Sequence, residues 1–203
     1  QLTIPELARE MRAGMVSTLL MLGGNPLYSS PADLNFAEAL RKVKLRIHLG
    51  EYDDETSAVC HWHINQAHPL ESWGDTRAYD GTITVQQPLI DPLYNGRAAT
   101  EVIAALAGRP GVGSHDLVKE FWSARYKDDA WQRLIHDGFI AGSAGVGKKV
   151  TLAKDLWAVL KSDAAASGFE LNFRPDPSAY DGRFANNAWL QELPDPVTKI
   201  SWD

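Results

Sequence analysis

The feature that most constrains this chain is a run from Val16 to Leu22, almost all apolar, that ends in Gly23-Gly24-Asn25-Pro26. Such near-continuous apolar character predicts a strand covered on both faces of a parallel sheet, and the Gly-Gly-Asn-Pro that follows must break it. Ser30 and Pro31 then read as N-cap and first residue of a helix with Asp33 in its first turn and Leu34, Ala37 and Leu40 as its buried stripe. Leu45, Ile47 and Leu49 alternate with Arg46 and His48, a second strand. Upstream, Thr3 and Glu6 form a capping box for a helix that sets Ile4, Leu7 and Met11 on one face and ends at Gly14. Helix–strand–helix–strand predicts an α/β fold: a doubly wound, mostly parallel sheet flanked by helices, which presents ligands at the carboxyl ends of its strands.

Beyond this unit, Glu51 to Thr56 reads as an acidic turn, and Ser57 to Ile64 carries no firm period. Asp80-Gly81 turns into a strand at Thr82 to Gln87, Pro88 and Pro92 frame a loop, and Arg97 to Ala107 is a helix stopped by Gly108. These elements give an α/β core over residues 1–108. A helical insertion or continuation over 109–168 follows, with Ser114 and Asp128 as N-caps. Its helices carry Leu117, Phe121 and Trp122, then Trp131, Leu134 and Ile135, and lastly Leu152, Leu156 and Leu160. Residues 169–203 open with the alternation Phe169, Leu171, Phe173, a strand. The remainder lacks a helical period and reads as the start of a further β-rich region, a C-terminal loop and strand extension.

Composition narrows the function classes. With 203 residues the chain buries roughly 70% of its unfolded surface and needs no covalent staples. A net charge of −6 without a basic block argues against nucleic acid as a partner. The single cysteine, Cys60, excludes an internal disulfide and a cysteine-ligated iron–sulfur cluster within this segment. No apolar run approaches the ~20 residues of a membrane span, and no signal peptide is visible. The opening at Gln1 and the strand-like close at Ile200-Ser201-Trp202-Asp203 point to a piece of a longer protein.

Three groups of residues could carry chemistry. Gly142 to Lys149 matches a phosphate loop until Lys149 stands where Ser or Thr must hold magnesium, so a Gly-rich interhelical turn is the better reading. His61, His63 and His68, with Cys60 beside them, offer zinc or copper donors, but no paired spacing such as H-x₃-H is present. The alternative is a set of buried polar side chains bonded to loops. Glu71, Asp75 and Asp80, with His68 nearby, could do acid–base work, though loop-structuring hydrogen bonds suit them better. No residue stands out as catalytic.

The string GGNP, the ETSAVC segment, the Glu71-Ser-Trp-Gly74-Asp turn and Tyr79-Asp80-Gly81 resemble, in order, motifs of the third domain of molybdopterin oxidoreductases. CHWH at 60–63, HPLESWGD at 68–75, QPLIDPLY at 87–94 and the tail from Tyr180 to Asp203 more closely resemble the molybdopterin-like iron–sulfur component of alternative complex III. The resemblance is weakest over 108–168.

That resemblance implies a periplasm-facing component of a membrane-bound respiratory electron-transfer complex. Its partners would be the rest of its own polypeptide and the other subunits, with iron–sulfur clusters in another part of the chain and the molybdopterin lost. It also implies that Gly23, Gly24, Asn25, Pro26, Glu55, Thr56, Glu71 and Gly74 descend from a cradle for the cofactor's nucleotide end. Active relatives place an Asp five residues before the Glu of this motif to hold guanine; here that position is Gly50. Three readings follow: a scaffold segment without its own redox centre, part of a catalytic molybdenum oxidoreductase that cradles a guanine dinucleotide, or a small metal-binding module.

Overall fold

The first helix, α1 (Ile4–Arg12), begins where the capping box requires. The Thr3 hydroxyl accepts from the Glu6 N–H, and the Glu6 carboxylate accepts from the Thr3 N–H at 2.8 Å. Such a cap stabilises a helix by about 1 kcal/mol. The buried face is Ala8 and Met11 with Leu7 beside them, while Ile4 is exposed. The computed structural model describes residues 3–126, 128–152, 168–169, 171 and 174–201. The chain divides into two units, residues 1–144 and 145–203.

In the first unit, β1 (Thr18–Leu22), β2 (Leu45–Gly50) and β3 (Trp62–Asn65) form a parallel sheet in the order β1-β2-β3. The fold is the α/β arrangement expected, with helices flanking a parallel sheet. One strand differs from expectation. β1 lies at an edge of this sheet, only Met21 is buried in it, and Leu22 is exposed. Apolar character alone overestimates its cover, because a strand's neighbours are not encoded in its own residues.

The connection after β1 also differs. Asn25-Pro26 opens a short helix, α2 (Pro26–Ser29), and a single 3-10 turn follows at Ala32–Leu34. The helix proper, α3 (Phe36–Arg41), starts only after Asn35. Asn35 sits at φ 43°, a left-handed conformation that its short side chain tolerates and that ends the preceding turn. The buried stripe is therefore Phe36, Ala39, Leu40 and Val43, which packs with Ala8, Met11 and Met21 between sheet and helices. Full burial of a Met11 or Leu40 side chain stabilises by about 1.5–3 kcal/mol. Arg46 ties the strand ends down, donating to the carbonyls of Val59 at 2.8 Å and Val43 at 2.7 Å.

The acidic turn leads into α4 (Glu55–Ala58), capped by the Asp54 carboxylate on the Ser57 N–H at 2.8 Å. Beyond β3 the chain forms a 3-10 turn (Pro69–Glu71) and a hairpin of β4 (Gly74–Arg77) and β5 (Ile83–Gln86) around the expected Asp80-Gly81 turn. The following loop returns to the sheet. Arg97 N–H donates to Asn65 O at 2.8 Å and Ala67 N–H to Arg97 O at 3.1 Å. Gly96 lies so close to Ala67 that a Cβ there would stand 2.8 Å from backbone atoms.

Helices α5 (Ala99–Leu106), α6 (Ser114–Ser123) and α7 (Asp128–Asp137) complete the unit. Ser114 begins α6 rather than capping it. Its N–H donates to Glu101 at 2.8 Å, and its hydroxyl accepts from Trp73 N–H. A second core joins Ile83 and Val85 of the hairpin to Val118, Trp122, Trp131 and Leu134, so elements on both sides of Gly108 share it. Phe121, expected on the buried stripe, is exposed and stacks edge-on against Trp122.

In residues 145–203, the expected helix through Leu156 and Leu160 and most of the strand at 169–173 lie outside the described residues. Leu152, Phe169 and Leu171 are exposed and in no strand or helix. The tail carries a short helix, α8 (Ala188–Glu192), capped by the Asn187 side chain on Leu190 N–H at 3.1 Å, where the sequence shows no helical period. Otherwise the described tail consists of turns, including one in which Asp195 accepts from Val197 and Thr198 N–H. No strand forms among the described residues there.

Candidate functional site

The chemistry-bearing residues gather where parallel sheets place ligand sites, at the carboxyl ends of β1 and β2. Gly23 and Gly24 both adopt φ 74°, which non-glycine residues rarely reach, and turn the chain sharply off β1. That turn buries Asn25 to 2% exposure and aims the Gly24 carbonyl at β2. The Asn25 side chain then bridges two elements. Its Nδ2 donates to Glu55 Oε2 at 2.6 Å, and its Oδ1 accepts from Thr56 Oγ1 at 2.7 Å. Thr56, fully buried, also accepts from Leu27 N–H at 3.2 Å. Gly23, Gly24, Asn25, Pro26, Glu55 and Thr56 thus lie together at the strand ends. Asp54 and Asp53 flank them, with Ser57 Oγ donating to Asp53 at 2.5 Å.

The residue at the centre of this site escapes sequence reasoning. His48 is fully buried. Its Nε2 lies 3.0 Å from Gly24 O. A carbonyl only accepts, so Nε2 carries a proton and donates to Gly24 O, which leaves Nδ1 facing His63. Two residues on, Gly50 shares its face of the strand. A Cβ on Gly50 would stand 2.5 Å from His48 Cε1 and 3.0 Å from Nε2. The imidazole therefore occupies the volume that any residue-50 side chain would need. Parallel register sets His48 beside His63 on β3, with their Nδ1 atoms 3.3 Å apart and Asp54 Oδ1 4.0 Å from His48 Nδ1. Among the described residues, no buried side-chain nitrogen or oxygen lacks a hydrogen-bond partner.

The three candidate histidines separate. His63 joins His48. His61 precedes β3 and accepts from Arg46 N–H at 3.1 Å. His68 caps the 3-10 turn, accepting from Leu70 N–H at 3.1 Å. An extended chain would align His61 and His63, but His61 stands just ahead of the strand and turns toward β2. Among the described residues no three His, Cys, Asp or Glu side chains gather around one point for a metal.

Glu71 and Gly74 also lie apart from the strand-end group. Glu71 accepts from His68 N–H at 3.0 Å and Leu93 N–H at 3.2 Å, and Gly74 opens β4 opposite Gln86. Asp75 accepts from the Trp122 indole N–H at 3.1 Å. Asp80 accepts from Thr82 at 2.9 Å, and these bonds hold its carboxyl below the usual range. Glu71, Asp75 and Asp80 thus structure turns or anchor a core Trp. Cys60 is half-buried, and that burial raises its thiol pKa despite the Arg46 charge. The Gly142–Lys149 loop has no helix behind it through residue 152, so the phosphate-loop geometry is absent there.

Two clefts lie away from the strand-end group. One of about 200 Å³ is walled by Trp122, Tyr126, Trp131 and Phe139, and one of about 460 Å³ by Pro31, Asn35, Phe36 and Arg41.

No family model matches the chain, and no curated protein matches it. Its fold is similar to that of acetylene hydratase from Pelobacter acetylenicus, with a TM-score of 0.54 and 16% identity over 64% of this chain. The match takes in 20% of that enzyme's chain, so this protein spans about a fifth of its length. Over the matched part the two share an α/β fold, which in this chain is built on a parallel sheet.

Proposed function

We propose that this chain is a scaffold segment of a molybdopterin-oxidoreductase-like subunit that holds no redox centre of its own. The observation that carries the reading is the packing of His48 over Gly50. In the active molybdopterin oxidoreductases that the motifs resemble, that position supplies the acceptor for a guanine base; here it has no side chain and the space above it is filled. Glu55, the other acidic group of the cradle, is committed to Asn25 at 2.6 Å. Arg46, on the central strand, spends guanidinium donors on the carbonyls of Val59 and Val43. The residues present therefore do not fit a dinucleotide. The turn, the strand ends and the Asn25–Thr56 bridge instead join three elements into one rigid unit.

The finer assignment follows the tail and the CHWH and HPLESWGD strings. The segment would belong to a respiratory electron-transfer complex on the periplasmic side of a membrane, beside subunits that carry iron–sulfur clusters. Among the described residues, no helix is long and apolar enough to cross a membrane, so attachment to the bilayer would fall to other parts of the assembly. Isolation of the native assembly containing this chain tests the proposal. Co-purification with membrane-bound iron–sulfur and cytochrome subunits is expected. Recovery as a free molybdenum enzyme would overturn it.

A further inference from the structure

Separation of His61 and His68 from His63 removes the histidine trio, but it leaves a pair that the sequence spacing does not suggest. We propose that His48 and His63 form a two-imidazole site for a zinc-class divalent cation, with the Asp54 carboxylate outside the ligand set as the neighbouring anion. Three features of the geometry support it.

The first is the separation of the rings. Their Nδ1 atoms stand 3.3 Å apart, a long nitrogen–nitrogen hydrogen bond that a bound cation would replace. Two imidazoles bound to one tetrahedral zinc at about 2.0–2.1 Å each have their nitrogens roughly 3.3 Å apart. The second is the orientation of His48. Its Nε2–H is held by the Gly24 carbonyl at 3.0 Å, the arrangement that outer-shell carbonyls impose on metal-binding histidines, and this turns Nδ1 toward His63. The third is the setting. His48 is fully buried and cannot swing away, because its ring is wedged over Gly50. His63 is half-buried on the adjoining strand, which leaves an approach from solvent.

Asp54 Oδ1, at 4.0 Å from His48 Nδ1 and with its side chain 18% exposed, is the nearest anion and supplies charge compensation. Its N-cap bond to Ser57 N–H at 2.8 Å does not prevent this, since a carboxylate oxygen has two lone pairs. Borderline ions that favour imidazole nitrogen, zinc foremost, match this donor set better than magnesium or calcium. A redox-inert ion here would pin β2, β3 and the start of α4 together, which goes beyond the scaffold reading and does not depend on it.

The test is titration of the purified metal-free protein with zinc by calorimetry, with cobalt(II) absorption as a second readout. The expected result is one ion per chain, an affinity lowered by more than ~10-fold in His63→Ala, and unchanged binding in His61→Ala and His68→Ala. His63 is only half-buried, so its variant is the one to use if His48→Ala fails to fold. Zinc should raise the thermal midpoint of the wild type and leave that of His63→Ala unmoved. Absent binding, or equal binding in His63→Ala, would overturn the site and leave the scaffold proposal standing.

Discussion

Substitution of Gly50 by alanine isolates the packing on which the functional reading rests. No positive φ is involved at this residue, so the effect is steric. The new methyl would stand 2.5 Å from His48 Cε1, and the ring has to retreat. Retreat stretches its bond to Gly24 O and its contact with His63. Overpacking of this kind costs about 1–3 kcal/mol, and a weakened buried hydrogen bond adds roughly 1 kcal/mol. A total near ~3 kcal/mol lowers the melting midpoint by roughly 6–12 °C for a chain of this size. His48→Ala is itself destabilising, but it removes the obstacle. Gly50→Ala made in that background should therefore cost less than ~0.5 kcal/mol, a coupling of about 2–3 kcal/mol between the sites. Urea denaturation followed by circular dichroism on the wild type, both single variants and the double variant measures it. Equal cost of Gly50→Ala in both backgrounds would refute the wedge.

Other outcomes follow from the same geometry. Thr56→Val keeps the shape but loses one donor and one acceptor of the buried bridge, so stability should fall by about 2–3 kcal/mol in the same denaturation assay. Gly96→Ala forces a Cβ against the Ala67 backbone, which cannot rotate away. It should cost more than Gly50→Ala and release the Arg97 N–H to rapid hydrogen exchange. Cys60, its thiol pKa raised by burial, should react with a disulfide reagent more slowly than free cysteine at pH 8 and reach full rate only in denaturant. Because the folded state holds that proton more tightly, the thiol's contribution to stability is complete below the unfolded-state pKa. It is lost as pH rises toward the folded value.

Much of the fold is legible in the sequence because its signals are local. The Thr3–Glu6 box, the alternation from Leu45 to Leu49, the Asp80-Gly81 turn and the glycine after α5 each act within a few residues. The strand-end group from Gly23 to Thr56 is legible only through motif resemblance, since Asn25 and Thr56 are 31 residues apart and meet through the sheet. His48 is hidden for a definite reason. Alternation marks it as the polar residue of a half-buried strand, whereas the absent side chain at Gly50 makes room for it inside. Its pairing with His63 depends on the register of β2 against β3, which neither strand states alone. Asn35 breaks a helix by adopting a backbone conformation that no hydrophobic pattern records.

The proposed scaffold reading rests above all on the His48 ring filling the space over Gly50 at the strand ends. The most direct test is titration with guanosine diphosphate, followed through the His48 and His63 imidazole resonances by NMR. Both sets of resonances should stay in place at millimolar nucleotide. Saturable shifts of these two rings, with release of His48 from Gly24, would contradict a filled cradle.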